Sequence, residues 1–280
     1  MCGRFVSPDT TAIERAWNIG RGQNPFAEVK LAPRRFNVQP TTNVTVILRE
    51  RDSAELVWGT ARWGLIPTWW KAPKPPRFTH NARSEEAAAK SMWQRSYRAM
   101  RCLIPAEGWY EWPEKDDIDT TTGEITQIGQ PHYIYAADRR PVCFAGLFSP
   151  WTSPDGTKTL LTCAILTQAA SPSVAAVHDR MPVILPEAEF ATWTDPALSD
   201  TVVIADTIRA KALRDFVHHA VSKKINSGKN EGQELTEPSQ PATKPILAGV
   251  SGSLFDEMGS NSADDPVEHA RLQARERKGV

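Results

Sequence analysis

The arrangement of short apolar runs along the chain is the feature that most constrains its fold. Six runs are rich in Val, Ile, Leu, Thr and aromatic residues and are bounded by Pro, Gly or Asp, which is typical of β-strands. These predicted strands cover residues 44–48, 56–58, 133–136, 142–147, 160–166 and 183–185. Helical periodicity of apolar residues occurs at residues 10–17, 84–97, 186–194 and 208–218. Because strands and helices do not alternate regularly, we predict an α+β domain with a mainly antiparallel, barrel-like β core flanked by helices, rather than a doubly wound parallel sheet.

Composition separates a domain from a tail. From about Asn226 onward Gly, Ser, Asn, Glu and Pro dominate, and we predict that the chain is mostly disordered there. We assign a single domain to residues 1–235 and a low-complexity tail to residues 236–280. The chain carries 33 basic and 33 acidic residues, but residues 231–280 hold nine acidic and five basic ones, which leaves about +4 on the remainder. Such a charge permits nucleic-acid binding without requiring it.

The sequence predicts no membrane span and no metal or disulfide framework. No stretch approaches the roughly 20 continuous apolar residues of a membrane helix, and no apolar signal region lies near the start, so we expect a cytoplasmic protein. Of the four cysteines, none lies in a Cys-x-x-Cys pair. Cys102, Cys143 and Cys163 lie in apolar runs and are predicted to be buried thiols.

The fourth cysteine, Cys2, has a chemistry that internal cysteines lack. Removal of Met1 would leave its thiol and a free α-amine on adjacent carbons, and the ordinary pKa of such an amine is about 7.7–8.0. Against an ester or amide, the pair acts as a nucleophile with a built-in base. Against an aldehyde, both atoms add to one carbon and close a five-membered thiazolidine.

Four internal segments place polar side chains in turns beside Pro, Gly or aromatic residues, where functional sites tend to lie. They are residues 36–40, 80–85, 105–112 and 177–182. Singly, each has a structural interpretation. Asn81 could cap the helix that follows, Glu111 could lie on the exposed face of a strand, and His178 could belong to a surface turn.

Together with the Cys2 terminus, these segments resemble the SRAP family (SOS-response-associated peptidases), also called abasic-site processing proteins. The resemblance runs in order over residues 1–235. It is carried by Met-Cys-Gly-Arg-Phe at residues 1–5, Asn-Ala-Arg at 81–83, Gly-Trp-Tyr-Glu-Trp at 108–112 and His-Asp-Arg-Met-Pro at 178–182.

The resemblance implies covalent chemistry on abasic sites in single-stranded DNA, without a metal or cofactor. It implies that the Cys2 amine forms a Schiff base with the sugar aldehyde and that the Cys2 thiol then closes a thiazolidine. Asn81 would orient the reacting groups. Glu111 and His178 would move the protons that open the sugar ring. An associated lyase activity, self-processing peptidase activity and a nucleoid-associated location are further expectations.

The resemblance also implies a DNA-binding surface. Arg4, Arg83 and Arg180 match positions that approach backbone phosphates, which a guanidinium suits. Trp69, Trp70 and Trp112 offer faces on which bases could stack. Pro40 matches a rigid loop position beside the site.

Other functions are open from the residues alone. An N-terminal-nucleophile amidohydrolase of the glutaminase type would also use Cys2, and a non-catalytic reader of modified DNA would keep the Arg and Trp residues without needing an aminothiol. In the tail, Leu254-Phe255 resembles the short peptides by which bacterial repair proteins dock on the sliding clamp, which makes the clamp a candidate partner.

Overall fold

The computed structural model describes residues 2–19, 32–50, 54–72, 74–113, 117–118, 125–126 and 129–239. The strands are β1 (Arg4–Ser7), β2 (Arg35–Val38), β3 (Asn43–Arg49), β4 (Leu56–Trp63), β5 (Asn81–Arg83), β6 (Arg101–Ala106), β7 (Gly108–Glu111), β8 (Asp117–Ile118), β9 (Ile125–Thr126), β10 (His132–Tyr135), β11 (Val142–Thr152), β12 (Thr159–Ala169), β13 (Arg180–Pro182), β14 (Ile184–Leu185) and β15 (Val217–Ala220). The α-helices are α1 (Thr10–Trp17), α2 (Ser84–Ala87), α3 (Gln94–Ala99), α4 (Pro172–Ala175), α5 (Phe190–Thr194) and α6 (Thr201–Lys211). Short 3₁₀ turns cover Glu187–Glu189, Lys223–Asn226 and Gln233–Thr236.

A closed barrel of five strands forms the centre of the fold. The strand order is β12-β4-β3-β6-β11, and β11 pairs again with β12. Antiparallel pairs dominate, whereas β4 and β12 are parallel. Closure leaves the barrel strands without open edges. β5 and β13 extend the barrel along β12, and β14 extends it along β11.

A second, antiparallel sheet covers one side of the barrel, in the order β15-β10-β7-β1-β2. Phe5 of β1 packs edge-on against Trp63 and Phe144 of the barrel, with ring centroids 5.2 and 5.8 Å apart. Trp109 of β7 joins the same buried cluster. The predicted α+β fold with a mainly antiparallel, barrel-like core is confirmed.

Most predicted elements occur, and two helices differ. All six predicted strands are present, several of them longer than expected. The helix at residues 10–17 is confirmed, because Asp9 accepts a hydrogen bond from the amide of Ala12 at 2.7 Å and caps it. Between β7 and β10, residues 117–118 and 125–126 form the antiparallel pair β8–β9.

The helix predicted at residues 84–97 is wrong, because the chain breaks it into α2 and α3. Ala87 and Trp93 are both buried in one cluster. In a continuous helix, six residues of separation would place these side chains about 120° apart around the helix axis. Breaking the helix lets both reach the core.

The helix predicted at residues 208–218 is also wrong. Helix α6 starts earlier, where Asp200 accepts hydrogen bonds from the amides of Val202 and Val203, and it ends at Lys211. Residues 217–220 form β15 instead and pair with β10. Long-range strand pairing overrides the local helical pattern there.

Residues 221–239, the C-terminal strap, pack on the second sheet. Ile225 and Leu235 are fully buried, and Val221 forms a β-bridge with Pro238. The prediction that disorder begins near Asn226 is therefore wrong, because burial of these apolar side chains helps to anchor the strap. Residues 240–280, with Leu254 and Phe255, lie outside the described residues. None of the helices in the described part has the length and apolarity needed to cross a bilayer.

Candidate active site

Cys2 lies two residues before the start of β1, a strand of the second sheet. Antiparallel pairing of Arg4 with Tyr110 and of Phe5 with Trp109 brings the end of β7 beside the start of the chain. The Cys2 residue is buried at 1% exposure. Burial, and next the charge of Glu111, raise the pKa of its thiol well above the ordinary value. The thiol is therefore protonated at neutral pH.

Asn81 fixes the position of Cys2 from the barrel side. Strand β5 runs parallel to β12, with Asn81 opposite Ile165. The Asn81 Nδ2 atom donates a hydrogen bond of 2.6 Å to the backbone oxygen of Cys2. Its Oδ1 atom is buried and has no hydrogen-bond partner among the described residues. An unpaired buried acceptor costs about 1–3 kcal/mol, so a substrate hydroxyl or ammonium group would be a favourable partner.

Glu111 supplies a carboxyl group that titrates near neutral pH. It ends β7 and is only 1% exposed. Burial raises its pKa to about 7, and the negative charge of Asp179 contributes to the rise. A carboxyl group with this pKa is present in both protonation states near neutrality, which suits general acid–base catalysis.

His178 lies in the loop between α4 and β13, with 14% of its side chain exposed. Its Nδ1 atom is 2.9 Å from the Arg180 amide nitrogen and 2.8 Å from Asp179 Oδ1. The two contacts require different protonation states, because Nδ1 must be bare to accept from Arg180 and protonated to donate to Asp179. The Arg180 amide is fixed in β13, whereas the Asp179 side chain is 84% exposed. The fixed contact favours a neutral ring with its proton on Nε2.

Arg180 joins this loop to the segment that carries Asn81. Its Nη1 and Nη2 atoms donate to the two carboxylate oxygens of Glu85 at 2.9 and 2.8 Å, and Nη2 also donates to the Thr167 carbonyl at 2.8 Å. Glu85 lies in α2, directly after β5. The pair therefore links two of the sequence motifs across β12.

The other two predicted arginines have different surroundings. Arg4 donates from Nη1 to Asn37 Oδ1 and to the Ile225 carbonyl, both at 2.8 Å, and from Nη2 to the Asn226 carbonyl at 3.3 Å. These bonds fasten the C-terminal strap to β1, and phosphate binding by Arg4 stays a prediction. Arg83 is 55% exposed and contacts Glu86 at 3.4 Å.

The predicted stacking residues lie in loops around the site. Trp69 is 49% exposed and its ring lies 5.9 Å from that of half-buried Trp70. Trp112 follows β7 and donates from Nε1 to Asn226 Oδ1 at 2.7 Å. Pro40 lies half-buried in the turn between β2 and β3. Their contacts with DNA stay predictions.

Sequence reasoning missed Phe78, which is 85% exposed and has a φ of 57°. An aromatic residue with positive φ is strained, and such strain concentrates at functional sites. Phe78 lies three residues before Asn81, at the end of the loop that carries Trp69. Its place directly after a Pro-rich stretch was the signal available in the sequence.

Metal ligation receives no support within the described residues, since no three His, Cys, Asp or Glu side chains gather there in a metal-binding arrangement. Cys102, Cys143 and Cys163 are buried, as predicted.

Cys2 before β1, the buried carboxyl group of Glu111 at the end of β7 and Asn81 of β5 together define the candidate active site. The profile of the SRAP family (SOS response associated peptidase) matches residues 1–228, and the chain belongs to this family. Two relatives are 32% identical to this chain, and each match covers 85% of it. They are abasic site processing protein YoqW of Bacillus subtilis, matched over 99% of its length, and abasic site processing protein YedK of Escherichia coli, matched over 100% of its length. HMCES of Xenopus tropicalis, also called an abasic site processing protein, is 28% identical over 84% of this chain and 76% of its own.

Solved structures agree on the fold. A protein from Bacteroides thetaiotaomicron superposes with a TM-score of 0.67 at 21% identity, over 86% of this chain and 100% of its own. A phage-related protein from Bordetella bronchiseptica superposes with a TM-score of 0.58 at 28% identity, over 79% of this chain and 95% of its own.

Proposed function

We propose that this protein processes abasic sites in single-stranded DNA by forming a covalent cross-link through Cys2. The observation that carries the proposal is the joint burial of Cys2, Asn81 and Glu111, with Asn81 bonded to the Cys2 carbonyl at 2.6 Å and the pKa of Glu111 raised to about 7. The names of the relatives support abasic sites as the substrate class.

The first step opens the sugar. An abasic deoxyribose is mostly a closed hemiacetal, so a proton must leave its hydroxyl group while another reaches the ring oxygen. A neutral His178 with its proton on Nε2 can donate to the ring oxygen. The Glu111 carboxylate can accept the hydroxyl proton, and the unpaired Oδ1 of Asn81 can accept a hydrogen bond from the attacking Cys2 amine and so orient it.

The second step joins protein and DNA. After Met1 has been removed, the neutral α-amine of Cys2 adds to the aldehyde carbon, and loss of water gives a Schiff base. The thiol then adds to the same carbon, and its proton passes to nitrogen as the thiazolidine closes. The raised pKa of the thiol favours this order, since the amine is the stronger nucleophile while the thiol is protonated.

Lyase activity is the competing outcome. A Schiff base acidifies the neighbouring carbon and permits β-elimination of the 3′ phosphate, whereas thiazolidine closure removes the imine. We infer that strand cleavage is minor while the Cys2 thiol is present. A glutaminase-type hydrolase needs donors arranged around an oxyanion, and the Asn81 Nδ2 group that could serve as one is bonded to the Cys2 carbonyl.

A denaturing gel tests the proposal. Single-stranded DNA with one abasic site should yield a shifted band that survives heat and denaturant, while the same oligonucleotide with an intact base should not. Cys2→Ala should abolish the stable band, and Cys2→Ser should do so as well, since an oxazolidine is a weaker trap. A stable band of wild-type strength in either variant would contradict the thiazolidine mechanism.

A further inference from the structure

The Arg180 guanidinium, which is expected to bind DNA, is engaged in an ion pair with Glu85. Both Nη atoms donate to the carboxylate, at 2.9 and 2.8 Å. The Arg180 side chain is only 13% exposed, whereas that of Glu85 is 52% exposed. The carboxylate therefore covers the outward edge of the guanidinium in the DNA-free protein.

A count of donors shows how little of Arg180 is left for a phosphate. A guanidinium has five N–H donors. Two bind Glu85 and a third binds the Thr167 carbonyl. The Nε–H group is buried and has no partner among the described residues, which leaves a single N–H on Nη1. Bidentate phosphate binding needs two adjacent donors, so it requires Glu85 to move away.

We propose that Glu85 is an internal stand-in for a backbone phosphate, which holds Arg180 until single-stranded DNA displaces it and thereby limits the affinity for DNA. This inference rests on the proposed function, because it takes Arg180 to meet DNA. The displaced carboxylate is half exposed and can return to water. The free energy of DNA binding then contains only the difference between the Arg180–phosphate and Arg180–Glu85 ion pairs. Lasting retention of the protein on DNA depends on the covalent bond at an abasic site.

The neighbouring pair of Arg83 with Glu86 provides an internal contrast. It is a single contact of 3.4 Å between side chains that are 55% and 37% exposed. Exposed pairs of this kind contribute little. Arg83 therefore keeps donors available for phosphate, whereas Arg180 is held by a carboxylate through two donors.

Glu85→Gln tests the proposal in the full-length protein. With an intact, non-abasic single-stranded oligonucleotide, we expect Kd to fall about fivefold and the salt dependence to steepen by about one charge. Asp206→Asn is the matched control: it makes the same charge change in an exposed pair with Arg209 on α6 and should leave Kd almost unaltered.

Combination with Arg180→Ala separates the mechanism from a general charge effect. In that background Glu85→Gln should have no effect on Kd, because the competitor acts only through Arg180. Weaker or unchanged binding by Glu85→Gln in the otherwise wild-type protein would overturn the proposal, as would an equal gain in both backgrounds.

A measurement on the wild-type protein covers the case in which the variant does not fold. Side-chain nitrogen NMR should show the Arg180 resonances shifting as intact oligonucleotide is added, together with the carboxylate carbon of Glu85. A Glu85 signal that stays unchanged at saturation would overturn the proposal. If wild-type protein does not bind single-stranded DNA at all, the proposed function fails, which is a different result from binding that ignores Glu85.

Discussion

The reacting cluster and the aromatic loop that precedes it are built in opposite ways. Cys2, Asn81 and Glu111 are almost fully buried and are held by strand pairing and a short hydrogen bond. Trp69 and Phe78, in the loop between β4 and β5, are 49% and 85% exposed. Burial of the titratable Glu111 carboxyl group in the cluster lowers the stability of the fold. The loop, by contrast, leaves apolar side chains exposed to a ligand. Chemistry and recognition should therefore respond separately to substitution.

The largest effect is expected from Glu111→Gln on the rate of cross-linking. Loss of a proton-transfer group typically lowers a rate by about 10²–10⁴-fold. In the wild-type protein the rate should rise with pH through about 7, as Glu111 becomes able to accept a proton. Single-turnover assays across pH should show this inflection, and in the variant only the later rise from deprotonation of the Cys2 α-amine, near pH 8, should remain. An unchanged pH profile in Glu111→Gln would contradict the role of Glu111.

The same substitution should make the protein more stable at alkaline pH. Because burial raises the pKa of Glu111, the stability that its neutral form provides is complete below the unfolded pKa of about 4.3 and is lost as pH rises through about 7. Above pH 7 the variant should gain on the order of 2 kcal/mol in the free energy of unfolding. Urea titrations of both proteins at pH 5 and pH 8 measure the difference. An equal effect at both pH values would mean that charge burial is not its cause.

The loop should act on affinity alone. Trp69→Ala and Phe78→Ala should each weaken binding of single-stranded DNA by about 1 kcal/mol if their rings stack on bases. The cross-linking rate at saturating DNA should be unchanged, and the free energy of unfolding should change little because both side chains are exposed. Leu213→Ala, a substitution at another exposed apolar residue, serves as the control. Binding that is equally insensitive to all three changes would remove the loop from the DNA surface.

The smallest effect is expected from removal of residues 240–280. The C-terminal strap ends at Ser239, whose amide donates to the Ala220 carbonyl at 2.8 Å, so a cut after this residue preserves the strap. Cross-linking in vitro should stay within about twofold of wild type, since such a tail would serve only to raise local concentration at a partner. A fluorescent peptide spanning residues 250–257 tests the predicted clamp contact separately, and absence of saturable binding would contradict it.

Local signals explain what could be predicted from the sequence. The apolar periodicity at residues 10–17 was sufficient to predict α1, and the β-rich runs were sufficient for four of the five barrel strands, but β6 was not predicted. The reacting cluster was expected from the resemblance of its motifs to a family. The break between α2 and α3 depends on how Ala87 and Trp93 pack in the core. Strand β15 depends on its pairing with β10, which is distant in sequence. Arg4 contacts the strap across 221 positions of sequence, and Glu85 pairs with Arg180 across 95. No local sequence pattern predicts contacts over such separations.

The intact mass of the product formed with abasic single-stranded DNA tests the central claim most directly. The account predicts one covalent species whose mass equals the chain without Met1 plus the oligonucleotide, minus one water. Peptide mapping should place the link on Cys2. A cross-linked species that retains Met1, or a link on any other residue, would contradict the use of the Cys2 α-amine and thiol.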